Sequence, residues 1–182
     1  KNVVMYSAHF GNWEWFAFMP LLIKHQFVSF YQEQSNAYFN GLSIHMRERF
    51  GNICVESKLG YKKLMEIQNS GKLSLAYMIS DQSPMQQSSK IWTDFLNQRT
   101  AFLVGPDRIA KKSSSALIYP HISMPKSGRY KIELKEIQLG ESEQVVAAYA
   151  RMLEANISES PALWLWTHRR WKHRDKVPEG IN

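Results

Sequence analysis

Cysteine is almost missing from this chain of 182 residues: Cys54 is the only one. A single thiol cannot close an internal disulfide, which excludes the disulfide-stapled secreted scaffolds and points to a reducing compartment. Long apolar runs are missing as well. The longest nearly uncharged stretch, 15–23, contains Pro20 and is about half the ~20 residues that a membrane-spanning helix needs. No secretory signal is present. Acidic residues are short, 16 against 23 Lys and Arg, for a formal net charge of +7. That balance favours acidic partners: nucleic acid, anionic lipid headgroups or an acidic protein. There is no Gly-rich phosphate loop and no Gly-x-Ser-x-Gly nucleophile elbow, so nucleotide-loop and serine-hydrolase readings fail. The histidines at 9, 25, 45, 121, 168 and 173 lack the spacing of zinc ligands, and no metal or cofactor is expected.

Apolar and aromatic residues are plentiful, at 44% and 13% of the chain, which excludes disorder and suits one domain over 1–182. The chain opens at Lys1 and runs at once into Asn2-Val-Val-Met-Tyr-Ser7. We read it as a fragment whose natural N-terminus, anchor included, lies outside it. The opening run is short and β-branched, a buried strand. The stretch 13–23 is helical, with Pro20 kinking or ending it. A strand over 27–31 follows. A helix capped by Ser35 or Asn36 then runs to about Phe50 and stops at Gly51.

Strands are expected at 53–55, 73–79 and 91–95, with a helix capped by Ser57 and closed by Gly71 between the first two. A helix over 105–112 precedes strands 116–122 and 130–137, which the turn Pro125-Lys-Ser-Gly128 joins. Ser142 starts a last helix, and Pro161 opens an aromatic, basic tail. The alternation predicts an α/β fold: a mixed, mostly parallel sheet with helices on both faces. Chemistry in such sheets gathers beyond the carboxyl ends of strands. Two loops qualify, one holding His9 and one holding Asp81.

His9 and Glu14 form a His-x4-Glu spacing. On one continuous helix the two side chains would stand about 140° apart and could not meet. With His9 in the loop before the helix and Glu14 in its first turn, the carboxylate can reach back to the imidazole. It would then hold one ring tautomer and leave the other nitrogen to take a proton from a hydroxyl. The plainer alternative has His9 capping the helix and Glu14 complementing its dipole. Arg47 offers planar bidentate donors to an anion, or else belongs to a solvated face beside Glu48 and Arg49. Asp81 either faces an active-site loop or caps the turn before Pro84.

His9-Phe-Gly-Asn-Trp-Glu14 after an apolar strand resembles the His-x4-Asp/Glu block of the glycerolipid acyltransferase superfamily. More narrowly, it resembles that of the lipid A biosynthesis acyltransferases. Arg47-Glu-Arg-Phe-Gly51 is similar to the family's Arg-x3-Gly segment, and Ser80-Asp81-Gln82 to its Asp-Gln block. Pro161-x-x-Trp-x-Trp-Thr-His-Arg-Arg-Trp-Lys172 is similar to its C-terminal signature. Order and gaps agree over nearly the whole chain, and the extra tryptophans Trp13 and Trp15 depart from it.

The resemblance implies transfer of a fatty acyl group from acyl carrier protein or acyl-CoA to a hydroxyl of a lipid A precursor or related glycolipid. His9 would be the base and Glu14 its orienting partner, with Arg47, Asp81, Arg169 and Arg170 binding substrate. It also implies a seat on the cytoplasmic face of a bacterial inner membrane, with no role for nucleic acid, and the net charge of +7 would draw the chain to an anionic membrane surface there. The competing reading takes Trp164-Leu-Trp-Thr-His-Arg-Arg-Trp-Lys-His-Arg-Asp-Lys176 as a nucleic-acid-binding segment, its basic residues meeting phosphates and its tryptophans stacking on bases.

Overall fold

A computed structural model of the chain describes residues 1–85 and 87–172. Gln86 and the last part of the basic segment, including 173–176, lie outside the described residues. The strands are β1 (Val3–Ser7), β2 (Gln26–Tyr31), β3 (Ile53–Glu56), β4 (Ser74–Ile79), β5 (Lys90–Phe95), β6 (Gln98–Leu103), β7 (Ala116–Lys126) and β8 (Arg129–Glu136). Six of them make one sheet in the order β3-β2-β4-β1-β7-β8. Its neighbours are parallel except for the β7–β8 hairpin. This is the α/β fold with a mixed, mostly parallel sheet that the sequence predicts.

Side chains alternate between the two faces of the sheet. In β4, Leu75 and Tyr77 enter one core while Ala76 and Met78 enter the other. Helices α2 (Gly60–Asn69) and α3 (Gly105–Lys112) cover the second core with Leu64, Ile67 and Ala110. Helix α4 (Val145–Glu159) covers the first through Val146, Tyr149 and Leu153. A 3₁₀ helix, Trp13–Leu21, adds Phe16 and Met19 to that core. Helix α1 (Ala37–Glu48) is capped by Asn36, whose side chain accepts from the N–H groups of Tyr38 and Phe39 at 3.0 and 3.2 Å.

Several local expectations need correction. The stretch before α3, for which the sequence predicts no element, is a strand, β6, which closes an antiparallel hairpin with β5. Its two-residue turn is Leu96-Asn97, both left-handed, with φ of 50° and 59°. Ser57 does not cap α2, because its hydroxyl donates to the Tyr31 carbonyl at 2.9 Å and Leu59 holds the cap position. Helix α4 starts at Val145, after a left-handed Ser142. Among the described residues, no helix is long and apolar enough to cross a membrane.

Candidate active site

Strands β1 and β4 lie side by side and in register, Ser7 opposite Ile79. Their carboxyl ends therefore release two loops next to each other, and Ser80 N–H donates to the Ser7 carbonyl at 3.0 Å. His9 leaves one loop and Asp81 the other. Asp81 Oδ1 lies 2.7 Å from His9 Nδ1 and accepts from the His9 backbone N–H at 3.1 Å. The other oxygen, Oδ2, accepts from the Trp164 indole N–H at 2.9 Å. Asp81 is 2% exposed. Burial alone would raise its carboxyl, but the hydrogen bonds and charge of His9, with the Trp164 bond, hold it below the usual carboxylate range.

The carboxylate on the imidazole is thus Asp81, not Glu14, which corrects the pairing read from the His-x4-Glu spacing. The 3₁₀ helix begins at Trp13, so Glu14 points toward α1 and meets Arg47 there. Arg47 Nε donates to Glu14 Oε2 at 2.9 Å, and the second guanidinium arm closes on Oε1. That bond from Arg47 lowers the Glu14 carboxyl, and the same contact raises the guanidinium. Arg47 therefore sits on the inward side of α1, not on a solvated face. The pair lines a small cavity of about 40 Å³ with Trp13, Ser29, Asn52 and Tyr77. Trp13 links the two carboxylate sites, its ring edge-on to His9 with centroids 5.3 Å apart.

The C-terminal segment closes the site from above. Gly11 N–H donates to the Leu163 carbonyl at 2.7 Å and Leu165 N–H to the His9 carbonyl at 3.0 Å. Phe10 and Trp164 form an antiparallel bridge. Gly11 has φ of 55°, and a Cβ there would touch Ile122 and Tyr130 at 3.0 and 3.2 Å, so only glycine suits the position. His168 Nε2 accepts from Ser83 N–H at 3.0 Å, and the Ser83 hydroxyl donates to the Arg170 carbonyl. Burial, with Lys172 and Arg170 nearby, lowers the His168 imidazole below its ordinary value.

The two arginines of the signature part company. Arg169 is exposed beside a concavity of about 550 Å³ that Trp166, His168 and Lys172 also line. Arg170 is 3% exposed, its guanidinium 4.3 Å over the Phe102 ring and donating to the Ala101 carbonyl at 2.6 Å. Burial lowers it to about 10. An arginine so covered anchors the segment to β6, although it also borders that concavity and its Nε has no partner among the described residues. Trp164 is buried, whereas Trp166 is half-exposed.

Sequence reasoning missed Trp164 as a member of this cluster. Its only signal was its place in the C-terminal block. Among the described residues, no group of three or more His, Cys, Asp or Glu could hold a metal ion.

Residues 1–173 match the family model of bacterial lipid A biosynthesis acyltransferase, and the chain belongs to that family. No curated protein matches it.

Proposed function

From that membership, which makes this an acyltransferase family chain of lipid A biosynthesis, we propose the following reaction. A hydroxyl of a lipid A precursor attacks the carbonyl of an acyl thioester carried by acyl carrier protein or coenzyme A, with His9 as general base. The observation that carries the reading is the 2.7 Å contact between His9 Nδ1 and a buried Asp81. A carboxylate on Nδ1 keeps the proton there, so the lone pair is on Nε2. Nε2 takes the hydroxyl proton as the new C–O bond forms, and the carbonyl becomes an oxyanion. Collapse breaks the C–S bond, and the proton returns from the imidazolium to the leaving thiolate. The ester and the free thiol are the products. Asp81 stabilises the imidazolium in between without being protonated.

Glu14 and Arg47 act as a unit at the rim, Glu14 orienting the arginine, and Arg47 meeting negative charge on the acceptor or the developing oxyanion. Exposed Arg169, with Lys172, is the better phosphate contact on the C-terminal side. The tryptophans of that segment spend their N–H groups inside the chain, on Asp81, the Pro161 carbonyl and Thr100. This supports a structural role over a base-stacking platform, and so the acyltransferase over the nucleic-acid reading.

A partner membrane is supported by side chains around the rim. Trp15, Phe18, Leu21 and Leu22 are exposed at the 3₁₀ helix, and Tyr38, Phe39, Leu42 and Met46 on α1. These side chains support a seat on a membrane surface, and the proposed lipid A reaction would put that seat at the cytoplasmic face of a bacterial inner membrane.

The test is acyl transfer from a panel of saturated acyl carrier protein and coenzyme A thioesters to a lipid A precursor. His9→Ala should abolish turnover in a folded protein. Asp81→Asn, which keeps the shape but offers the wrong tautomer, should lower kcat on the order of a thousandfold or more. Near wild-type turnover by His9→Ala overturns the base assignment.

A further inference from the structure

We propose that Trp164 is a positioning residue of the transfer reaction: its indole N–H fixes the Asp81 carboxylate in the one orientation in which Oδ1 serves both the imidazole and the backbone of His9. The inference rests on His9 acting as the base. It concerns a residue that touches neither substrate nor reacting atom.

Asp81 has two oxygens and three donors. Oδ1 takes two of them, from the ring and the main chain of one residue. Oδ2 takes the third, from Trp164. The last torsion of an aspartate is broad and nearly two-fold, so geometry within Asp81 does not choose between its oxygens. A donor fixed on the Oδ2 side does choose. It also satisfies an oxygen that would otherwise be a buried, unpaired acceptor, which is costly.

The donor is itself rigid. The bridge to Phe10 and the bonds from Gly11 N–H to Leu163 and Leu165 N–H to His9 tie residues 163–165 across the His9 loop. The indole packs edge-on against Trp166 and Phe95, with centroids at 4.5 and 5.8 Å. The segment that holds the His9 main chain thus also holds the carboxylate that orients the His9 ring. A displacement of either loop would break both contacts together.

The N–H bond has an electrical effect too. It disperses charge from Asp81, which makes the carboxylate a weaker partner for a protonated imidazole. Without it, the Asp81 carboxylate would lie nearer the ordinary carboxylate range and would hold a protonated imidazole more strongly. The other titratable groups around Asp81 are Tyr77 on β4, Tyr119 on β7, Tyr149 on α4, and His168 and Arg170 on the C-terminal segment. None of them changes when only the indole N–H is removed.

The experiment replaces Trp164 with β-(3-benzothienyl)alanine, which keeps the bicyclic shape and loses the N–H, and compares it with Trp164→Phe and His9→Ala in the full chain. The readouts are kcat, KM and the pH profile with an acyl carrier protein thioester and a lipid A precursor, beside a thermal melt. The expected result for the isostere is a kcat loss on the order of tenfold, an unchanged KM, and an acid limb moved to higher pH. The Phe variant should show the same shift together with a lower Tm. An isostere with wild-type kcat and pH profile, beside an inactive His9→Ala, overturns the role of Trp164 alone. A lower Tm with an unmoved profile does the same, since it marks a purely structural residue. An active His9→Ala overturns the base assignment instead.

Discussion

Glu14 and Arg47 grip each other through both oxygens and two guanidinium nitrogens, across 33 residues of sequence and from two different helices. Two of the sequence blocks are thereby one structural unit. The pair welds the 3₁₀ helix to α1 at the mouth of the small cavity, close enough to His9 for its charge to be felt by Glu14. Arg47 is therefore a charge already matched, and its pull on a substrate anion depends on how Glu14 shares it.

This makes a double-mutant cycle informative. Glu14→Gln and Arg47→Met should each lower stability by roughly 1 kcal/mol or less, since Glu14 is half-exposed. The double variant should cost less than the sum of the two, because breaking either partner already loses the contact. Chemical unfolding of the four proteins checks this. Strict additivity would show that the two residues do not act together. In transfer assays, Arg47→Met should fall further than Glu14→Gln if the arginine is the group that meets substrate charge.

How far the sequence alone could reach is visible at His9. Every strand but β6, and several helix ends, follow from apolar runs, Gly stops and an Asn cap. The two loops with chemistry are legible as loops after buried strands. Which carboxylate meets the imidazole is not, because Asp81 is 72 residues away and only the adjacency of β1 and β4 brings it there. Nothing local encodes strand order, so the near neighbour Glu14 was the natural choice. The β5–β6 hairpin was half legible for a similar reason. Its turn is Leu96-Asn97, without the glycine that usually marks such a turn. Ser57 and Ser142 look like helix caps, yet tertiary contacts and backbone geometry move both helix starts downstream.

Acid should unfold the chain in two stages. The His168 imidazole lies below its ordinary value in the folded state, so the unfolded chain takes up that proton first as pH falls through about 6.5. Stability contributed by neutral His168 is complete above that pH and declines below it, because a protonated ring can no longer accept from Ser83. Asp81 and Glu14 are held below the carboxylate range. Their share is complete above the unfolded values near 4 and is lost as pH falls through the folded ones. Urea midpoints measured from pH 8 downward should fall in both windows. His168→Gln should remove the first decline and leave the second.

Gly60 should not tolerate even a methyl group. It opens α2 where that helix crosses β2, and a Cβ there would lie 2.1 Å from Cε2 and 2.4 Å from Cζ of Phe30. The ring, half-buried against Val28 and its neighbours in the second core, has to move. Gly60→Ala should therefore cost about 1–3 kcal/mol, as overpacked sites do, despite the better helix propensity of alanine. Gly41, on the exposed side of α1 with nothing within 4 Å of its Cβ position, is the matched control. There the same change should stabilise by up to about 1 kcal/mol. Thermal melts of the two variants decide it. Equal Tm values would mean that Phe30 swings aside at no cost.

The outer face of α1 carries the last prediction. Most surface helices turn their apolar stripe inward, but in α1 no residue is buried. Arg47 faces the chain interior while Tyr38, Phe39, Leu42 and Met46 face out. Arg49 follows on the same outward arc and Lys24 ends the run begun by the exposed Leu21 and Leu22. Aromatic and aliphatic side chains bordered by cations suit the boundary between headgroups and acyl chains. Anionic lipid should add on the order of 1 kcal/mol for each basic residue near its surface. The chain should accordingly co-sediment with vesicles containing phosphatidylglycerol, more weakly with pure phosphatidylcholine, and less at high salt, where the Debye length shrinks to about 3 Å. Phe39→Ser, Leu42→Ser and Met46→Ser combined should lower partitioning on the order of tenfold or more. Leu134→Ser, an exposed site on β8, should leave it unchanged. If the triple variant binds as the wild type does, α1 is not the seat. If binding ignores both salt and lipid charge, insertion of the apolar face acts without help from the basic rim.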